Sequence, residues 1–200
     1  MKTIALTSTL LRAAALLAIL TGFLACGGGS SPNVGTASTL AASATSVATL
    51  VHTVSTASGY QLVRDGSSTH THLVFDLLGP TVNQIGGMVF NFNTGPSKTT
   101  WGNPGGSDPY IKEGQVLSLG TGTRLLKSQL SGSTLQSAIF QKGSVAAATL
   151  GSQPILSVAL ELKVGASTGA VSLSSTSAQI LYATGTTQAI TVAVGSLTAQ

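Results

Sequence analysis

Between Leu156 and Val164 every second residue is aliphatic: Leu156, Val158, Leu160, Leu162 and Val164 alternate with Ser157, Ala159, Glu161 and Lys163. A helix would scatter those five around its circumference, whereas a strand puts them all on one face. The same period of two runs through 70–78, where Leu73, Phe75 and Leu77 oppose His72 and Asp76. It returns in Ile85–Asn93, with Met88, Phe90 and Phe92 on one side and Val89 and Asn91 on the other. Weaker strands are expected at Gln115–Leu119, Thr134–Gln141, Ala170–Leu173, Ala178–Tyr182 and Ala189–Ser196, separated by Gly/Ser/Thr-rich turns. Eight short strands with turn signals between them predict an all-β fold, an antiparallel two-sheet β-sandwich. Gly86 and Gly87 interrupt a strand pattern and predict a bulge or a close backbone approach there. With only 7% charged and 4% aromatic residues, the chain suits strands and small-residue turns better than salt-bridged helices.

The first 26 residues follow another pattern. Lys2 and Arg12 make a short basic start, and Ala13 to Leu20 is an apolar run too short to span a bilayer. A basic start, a short apolar middle and small residues at a cut site describe an export signal. Cys26 is the only cysteine, which excludes an intrachain disulfide and a zinc site of several thiolates. The segment Thr21-Gly22-Phe23-Leu24-Ala25-Cys26 resembles the lipobox of bacterial lipoproteins. That resemblance implies a signal peptide over 1–25, acylation of Cys26 by palmitate-like chains, and a membrane anchor. Gly27 after the cysteine implies sorting to the outer membrane of the cell envelope, facing either the periplasm or the cell surface. An ordinary signal peptide with an incidental cysteine is the alternative. Several acyl chains hold durably where one is marginal, at about 0.8 kcal/mol per buried methylene.

Gly27-Gly28-Gly29-Ser30-Ser31 reads as a flexible tether. Within the linker 26–58, residues 37–58 read either as a helix, because Leu40, Val47, Leu50, Val51 and Val54 recur at helical spacing, or as a spacer. One domain over 59–200 follows.

The runs 70–78 and 85–93, the latter with Ile85-Gly86-Gly87-Met88-Val89-Phe90, resemble the opening hairpin of cohesin-like domains, which share a jelly roll with several carbohydrate-binding modules. The later stretch Ile155–Leu173 is similar to the penultimate strands of that family. The resemblance spans roughly 70–200, rests on apolar alternation and glycine, and implies a jelly-roll sandwich used for binding or assembly. No residue diagnostic of dockerin recognition carries over.

Catalytic chemistry is hard to find. The five acids, Asp65, Asp76, Asp108, Glu113 and Glu161, stand apart along the chain, whereas a glycosidase needs two carboxylates at a set separation. No His-Glu-x-x-His occurs in the sequence. His70, His72 and Asp76 share a strand face at a spacing a transition metal can use, but a fourth ligand is not in view, so polar residues on a solvated edge are expected, with no metal and no cofactor. His52 is expected to be exposed. Loss of Lys2 and Arg12 with the leader leaves seven scattered basic residues against five acids, a net +2, which argues against a nucleic-acid partner.

The stretch Thr94–Gly114 gathers the only tryptophan, Trp101, with Lys98, Asn103, Asp108, Tyr110 and Lys112. Binding residues concentrate on loops carried by rigid scaffolds, and aromatic faces beside polar groups suit sugars and protein partners alike. Lys98, Trp101, Asn103, Asp108 and Tyr110 are therefore the candidate ligand-binding residues. A tryptophan that plugs the end of the sandwich is the opposing reading. For a glycan platform only Trp101, Tyr60, Tyr110 and Tyr182 are on hand. The resulting expectation is a noncatalytic, membrane-anchored module for a polysaccharide or a protein partner. A structural envelope lipoprotein is second and a hydrolase third.

Overall fold

The computed structural model describes residues 49–81, 83–121, 123, 125–142, 148–149 and 151–200. The leader, Cys26 and residues 27–48 lie outside them, so the lipobox, the tether and the N-terminal part of the expected 37–58 helix have no structural account here.

Every regular element among the described residues is a strand: β1 (Leu50–Thr53), β2 (Tyr60–Arg64), β3 (His72–Leu78), β4 (Gln84–Thr94) and β5 (Thr99–Gly102). Next come β6 (Ile111–Glu113), β7 (Leu126–Ser131), β8 (Thr134–Phe140), β9 (Ala148–Thr149) and β10 (Leu156–Leu162). The last five are β11 (Gly169–Val171), β12 (Leu173–Tyr182), β13 (Thr187–Ala189), β14 (Val192–Ala193) and β15 (Ser196–Ala199). Two sheets form a jelly-roll sandwich. One runs β14-β2-β3-β10-β5 with β6 also on β10, and the other runs β13-β12-β4-β8-β7 with β9 on β4. A small sheet, β1-β15-β11, adds Leu50, Val171, Leu197 and Ala199 to the same core. All pairings are antiparallel except β14 on β2.

The three strongest alternations form the long paired strands. Leu73, Phe75 and Leu77 of β3 and Leu156, Val158 and Leu160 of β10 turn inward, against Met88, Phe90 and Phe92 of β4. Gly86 and Gly87 do both things expected of them. Pairing with β12 slips at this point, Leu181 facing Gly87 and Tyr182 facing Ile85. A methyl on Gly87 would stand 1.9 Å from Cδ1 of Phe140, whose ring lies flat over the glycine.

Several expectations need correction. Residues 50–53 are strand and not helix: β-branched Val51 and Thr53 favour the extended chain, and Leu50 packs inward while Val51 faces out. This strand pairs with β15 in the small sheet. Gln115–Leu119 is no strand, because its amides make isolated bonds, such as Gln115 N–H to Pro154 O, without a ladder. Ala189–Ser196 breaks into three pieces, as the chain leaves one sheet for another at β14 and then for the small sheet at β15. Val164 does not join the inward face of β10 but stands fully exposed in the turn that follows.

Candidate functional site

The stretch 94–114 is not one loop, since it contains β5 and β6, both paired to β10. Trp101, only 5% exposed, lies on β5 with its ring stacked toward Phe92 (centroids 6.4 Å apart), and its indole N–H donates to Ser133 O at 2.9 Å. It is a core plug, because an inward position on β5 leaves the indole nowhere else to go. The polar candidates are equally engaged. Asn103 Oδ1 accepts from the amides of Gly105 (2.7 Å) and Gly106 (3.1 Å), closing a turn. Asp108 accepts from the amides of Tyr110 (3.0 Å) and Ile111 (3.2 Å), and also from the amide (3.2 Å) and hydroxyl of Ser128 on β7. Lys98 Nζ donates to Thr168 O (2.9 Å) and Ala170 O (3.0 Å), beside β11. Tyr110 is half-buried against the core. Asp108 and Lys98 thus tie separate elements together, Asn103 stays exposed on its own turn, and the Trp101 indole is buried.

The outer face of the β2-β3-β10-β5 sheet is largely closed. Val74, Ser157 and Ala159 point outward from β3 and β10, yet all three are buried. Ser68 Oγ bonds both Val74 N–H (2.9 Å) and Val74 O (3.0 Å), folding residues 65–69 over the strand. A methyl on Gly102 would lie 2.6 Å from Glu161 Oε1, so the Glu161 side chain crosses β5. Across this face Asp65 and Asp76, eleven positions apart in the sequence, line the same hollow. That hollow, of about 170 Å³, also holds Lys112 and Glu113. Ser67 hydroxyl and amide hydrogen bonds hold Asp65 below the usual carboxylate range. Burial pushes Asp76 above it, against a 2.6 Å hydrogen bond from Ser157 Oγ. Of the two, Asp76 is the carboxyl that gives up its proton less readily. Sequence reading missed this pair because Asp65 lies just past β2 and Asp76 on β3, so only the pairing of those strands brings them near each other.

His72 Nδ1 stands 3.4 Å from Glu161 Oε1, while His70 is exposed ahead of β3. Among the described residues no three of His, Cys, Asp and Glu stand close enough to hold a metal ion. His52 is half-buried and not free: Nε2 is 2.9 Å from Val194 O, and its ring meets Phe75 edge-on.

The outer face of the other sheet is open. Register places Lys127, Ala138, Val89 and Gln179 in one row across β7, β8, β4 and β12, and Gln129, Gln136, Asn91 and Ser177 in the next. A shallow trough of about 510 Å³ runs over these amides, with Lys127 as the one charge lining it. Beside it a hollow of about 180 Å³ is lined by Val89, Phe140, Gln179, Ile180, Leu181 and Thr187. Such a surface has hydrogen-bonding groups and an apolar centre but no paired acid and base.

No protein-family model and no curated protein matches the chain. Among solved structures it is similar to the sixth cohesin of scaffoldin B from Acetivibrio cellulolyticus, solved with a Cel5 dockerin, at 15% identity and TM-score 0.48 over 69% of this chain and 99% of that one. A non-cellulosomal cohesin from Archaeoglobus fulgidus gives 12% and 0.45 over 69% and 86%. The seventh ScaB type I cohesin from Pseudobacteroides cellulosolvens gives 12% and 0.45 over 70% and 90%.

Proposed function

We propose that this chain is a noncatalytic module, anchored in the cell envelope through lipid on Cys26, that holds a protein partner against the outer face of the β13-β12-β4-β8-β7 sheet. The observation that carries this reading is the open, nearly uncharged face described above, on a molecule whose other large face is closed by its own side chains. A trough this shallow does not enclose a small molecule, which needs a cleft that buries most of its surface. A protein can cover it, since interface cores favour apolar and amide groups and are depleted of charge. A glycan is less well served. Phe140 is the aromatic ring this face offers, while Trp101 and Tyr60 are buried.

In-cell photocrosslinking tests both halves. A crosslinker at Gln136 or Asn91 should trap a defined protein species, one at Thr100 on the closed face should not, and Cys26→Ala should move the adduct from the membrane to the soluble fraction. Equal trapping from both faces, or trapping from Thr100 alone, rejects the face; a Cys26→Ala chain that stays in carbonate-washed membranes rejects the anchor.

A further inference from the structure

We propose that the free edge of β13 receives an extended, uncharged peptide strand from the partner, whose long apolar side chain leans over Thr187 onto the near rim of the hollow that Leu181 and Phe140 line. Resting on the proposed partner face, the inference adds the form in which the partner arrives. It starts from hydrogen-bond accounting. On β13 the bonds from Tyr182 N–H to Thr186 O and from Ile190 N–H to Ala178 O show that even-numbered residues bond to β12. The N–H and C=O groups of Thr187 and Ala189 therefore point away from the sheet, and all three residues of β13 are exposed. None of these four groups has a partner among the described residues.

Two other edges are treated differently. On β7 the outward amide of Ser128 is taken by the Asp108 carboxylate. Beside β15 the outward carbonyls of Thr168 and Ala170 are taken by the Lys98 ammonium. Charged side chains over an edge deter strand addition, and β13 has none. From Val164 to Gln200 the sequence contains no charged residue at all. An arriving strand thus meets no repulsion, and a charged one would find no counter-ion, which selects a neutral segment.

The hollow supplies selectivity. Residues paired across neighbouring strands share a face, so the side chain opposite Thr187 projects on the same side as Thr187, which lines the hollow. A small side chain there stays short of Val89 and Phe140, whereas leucine, methionine or phenylalanine reaches over Thr187. A second copy of β13 in antiparallel register would place Ala189 at that point and leave the hollow empty. Strand addition of this kind takes affinity from the main chain and specificity from pockets for alternate side chains.

The test pans a displayed library of random nine-residue peptides against the full chain in detergent. Selected peptides should be neutral with a large apolar residue at alternate positions, and one of them, made synthetically, should slow amide hydrogen exchange at Thr187 and Ala189. Ala189→Pro removes an N–H that bonds nothing within the domain, at an edge where proline is tolerated, and should weaken the peptide roughly tenfold or more. Leu181→Ser keeps the edge but should abolish the preference for a large apolar residue. Failure to enrich peptides, protection confined to other strands, or full affinity in Ala189→Pro overturns the inference. So does a dimer of the chain that Ala189→Pro dissolves, since the edge then belongs to a second copy. If crosslinks from Gln136 persist while Ala189→Pro binds unchanged, the partner face stands and only the strand mode falls.

Discussion

The two outer faces of the sandwich draw on a similar small set of residues and end in opposite states. On the β3-β10 side, Val74, Ser157 and Ala159 are buried, and the polar groups left over pair with each other: Ser157 with Asp76, His72 with Glu161. On the β4-β8 side, Val89, Asn91 and Ala138 occupy equivalent outward positions and, among the described residues, line an open trough. A sheet face left open has to be tolerable in water, and amides and hydroxyls make it so without charge. Sparing use of charge shows elsewhere too. With five acids in the chain, lysines meet backbone carbonyls more than carboxylates: Lys98 those of Thr168 and Ala170, Lys142 that of Thr123 at 3.2 Å.

The sharpest way to break this contrast is to compare the residue between the faces with one on the open face. Trp101→Ala should cost about 3–5 kcal/mol, the usual range for a buried tryptophan, because it empties the space beside Phe92 and leaves Ser133 O with the Thr94 amide alone as donor. Gln136→Ala, on the open face, should stay within about 0.5 kcal/mol. Urea unfolding of the two variants checks this; a Trp101→Ala chain as stable as its parent would return Trp101 to the list of ligand contacts.

A middle-sized effect is expected at Asp108, whose carboxylate serves two elements at once. Asp108→Ala leaves the amides of Tyr110, Ile111 and Ser128 without their acceptor and should cost about 1–3 kcal/mol. Asp108→Asn keeps one acceptor oxygen and should recover part of the loss in the same unfolding curves. Equal curves for the parent and both variants would mean water replaces the carboxylate freely.

How much of this was legible beforehand follows from what each residue has to signal. β3, β4 and β10 announced themselves because bulky apolar residues at every second position have one physical explanation, and the Gly86-Gly87 pair announced its bulge for a similar reason. β5 and β6 were hidden: strands of four and three residues, Thr99–Gly102 and Ile111–Glu113, among glycines and prolines look like turns. Leu117 and Leu119 did the reverse, alternating like a strand while each plugs the core from irregular chain. For the candidate site the sequence carried less information. A lone tryptophan in a Gly/Pro-rich stretch looks the same whether it faces in or out, and the capping roles of Asp108 and Lys98 depend on partners 20 and 70 or more positions away. The open face gave no signal either, being made of the residue types that fill ordinary strands.

The smallest expected effect tests the closed face, through its paired acids. Asp76 has a folded-state pKa above the unfolded value, so its protonated form is favoured by folding. Any stability it contributes is present below the unfolded pKa, and is lost as pH rises through the folded pKa. Asp65 is the opposite case: lowered by Ser67, it contributes above the unfolded pKa and loses that contribution as pH falls through its folded pKa. At neutral pH, then, Asp76 carries a charge that burial resists and that Asp65 repels. Asp76→Asn removes the charge, keeps an oxygen for the Ser157 hydroxyl, and should raise the melting temperature slightly at pH 7, the gain being held small by solvent around the half-buried pair. The gain should shrink as pH falls through the raised folded-state pKa of Asp76. Asp65→Asn should do the reverse, lowering the melting temperature at pH 7 because Ser67 loses a charged acceptor. Melting curves across pH 4–8 that move in parallel for both variants would mean that the two carboxyls titrate independently.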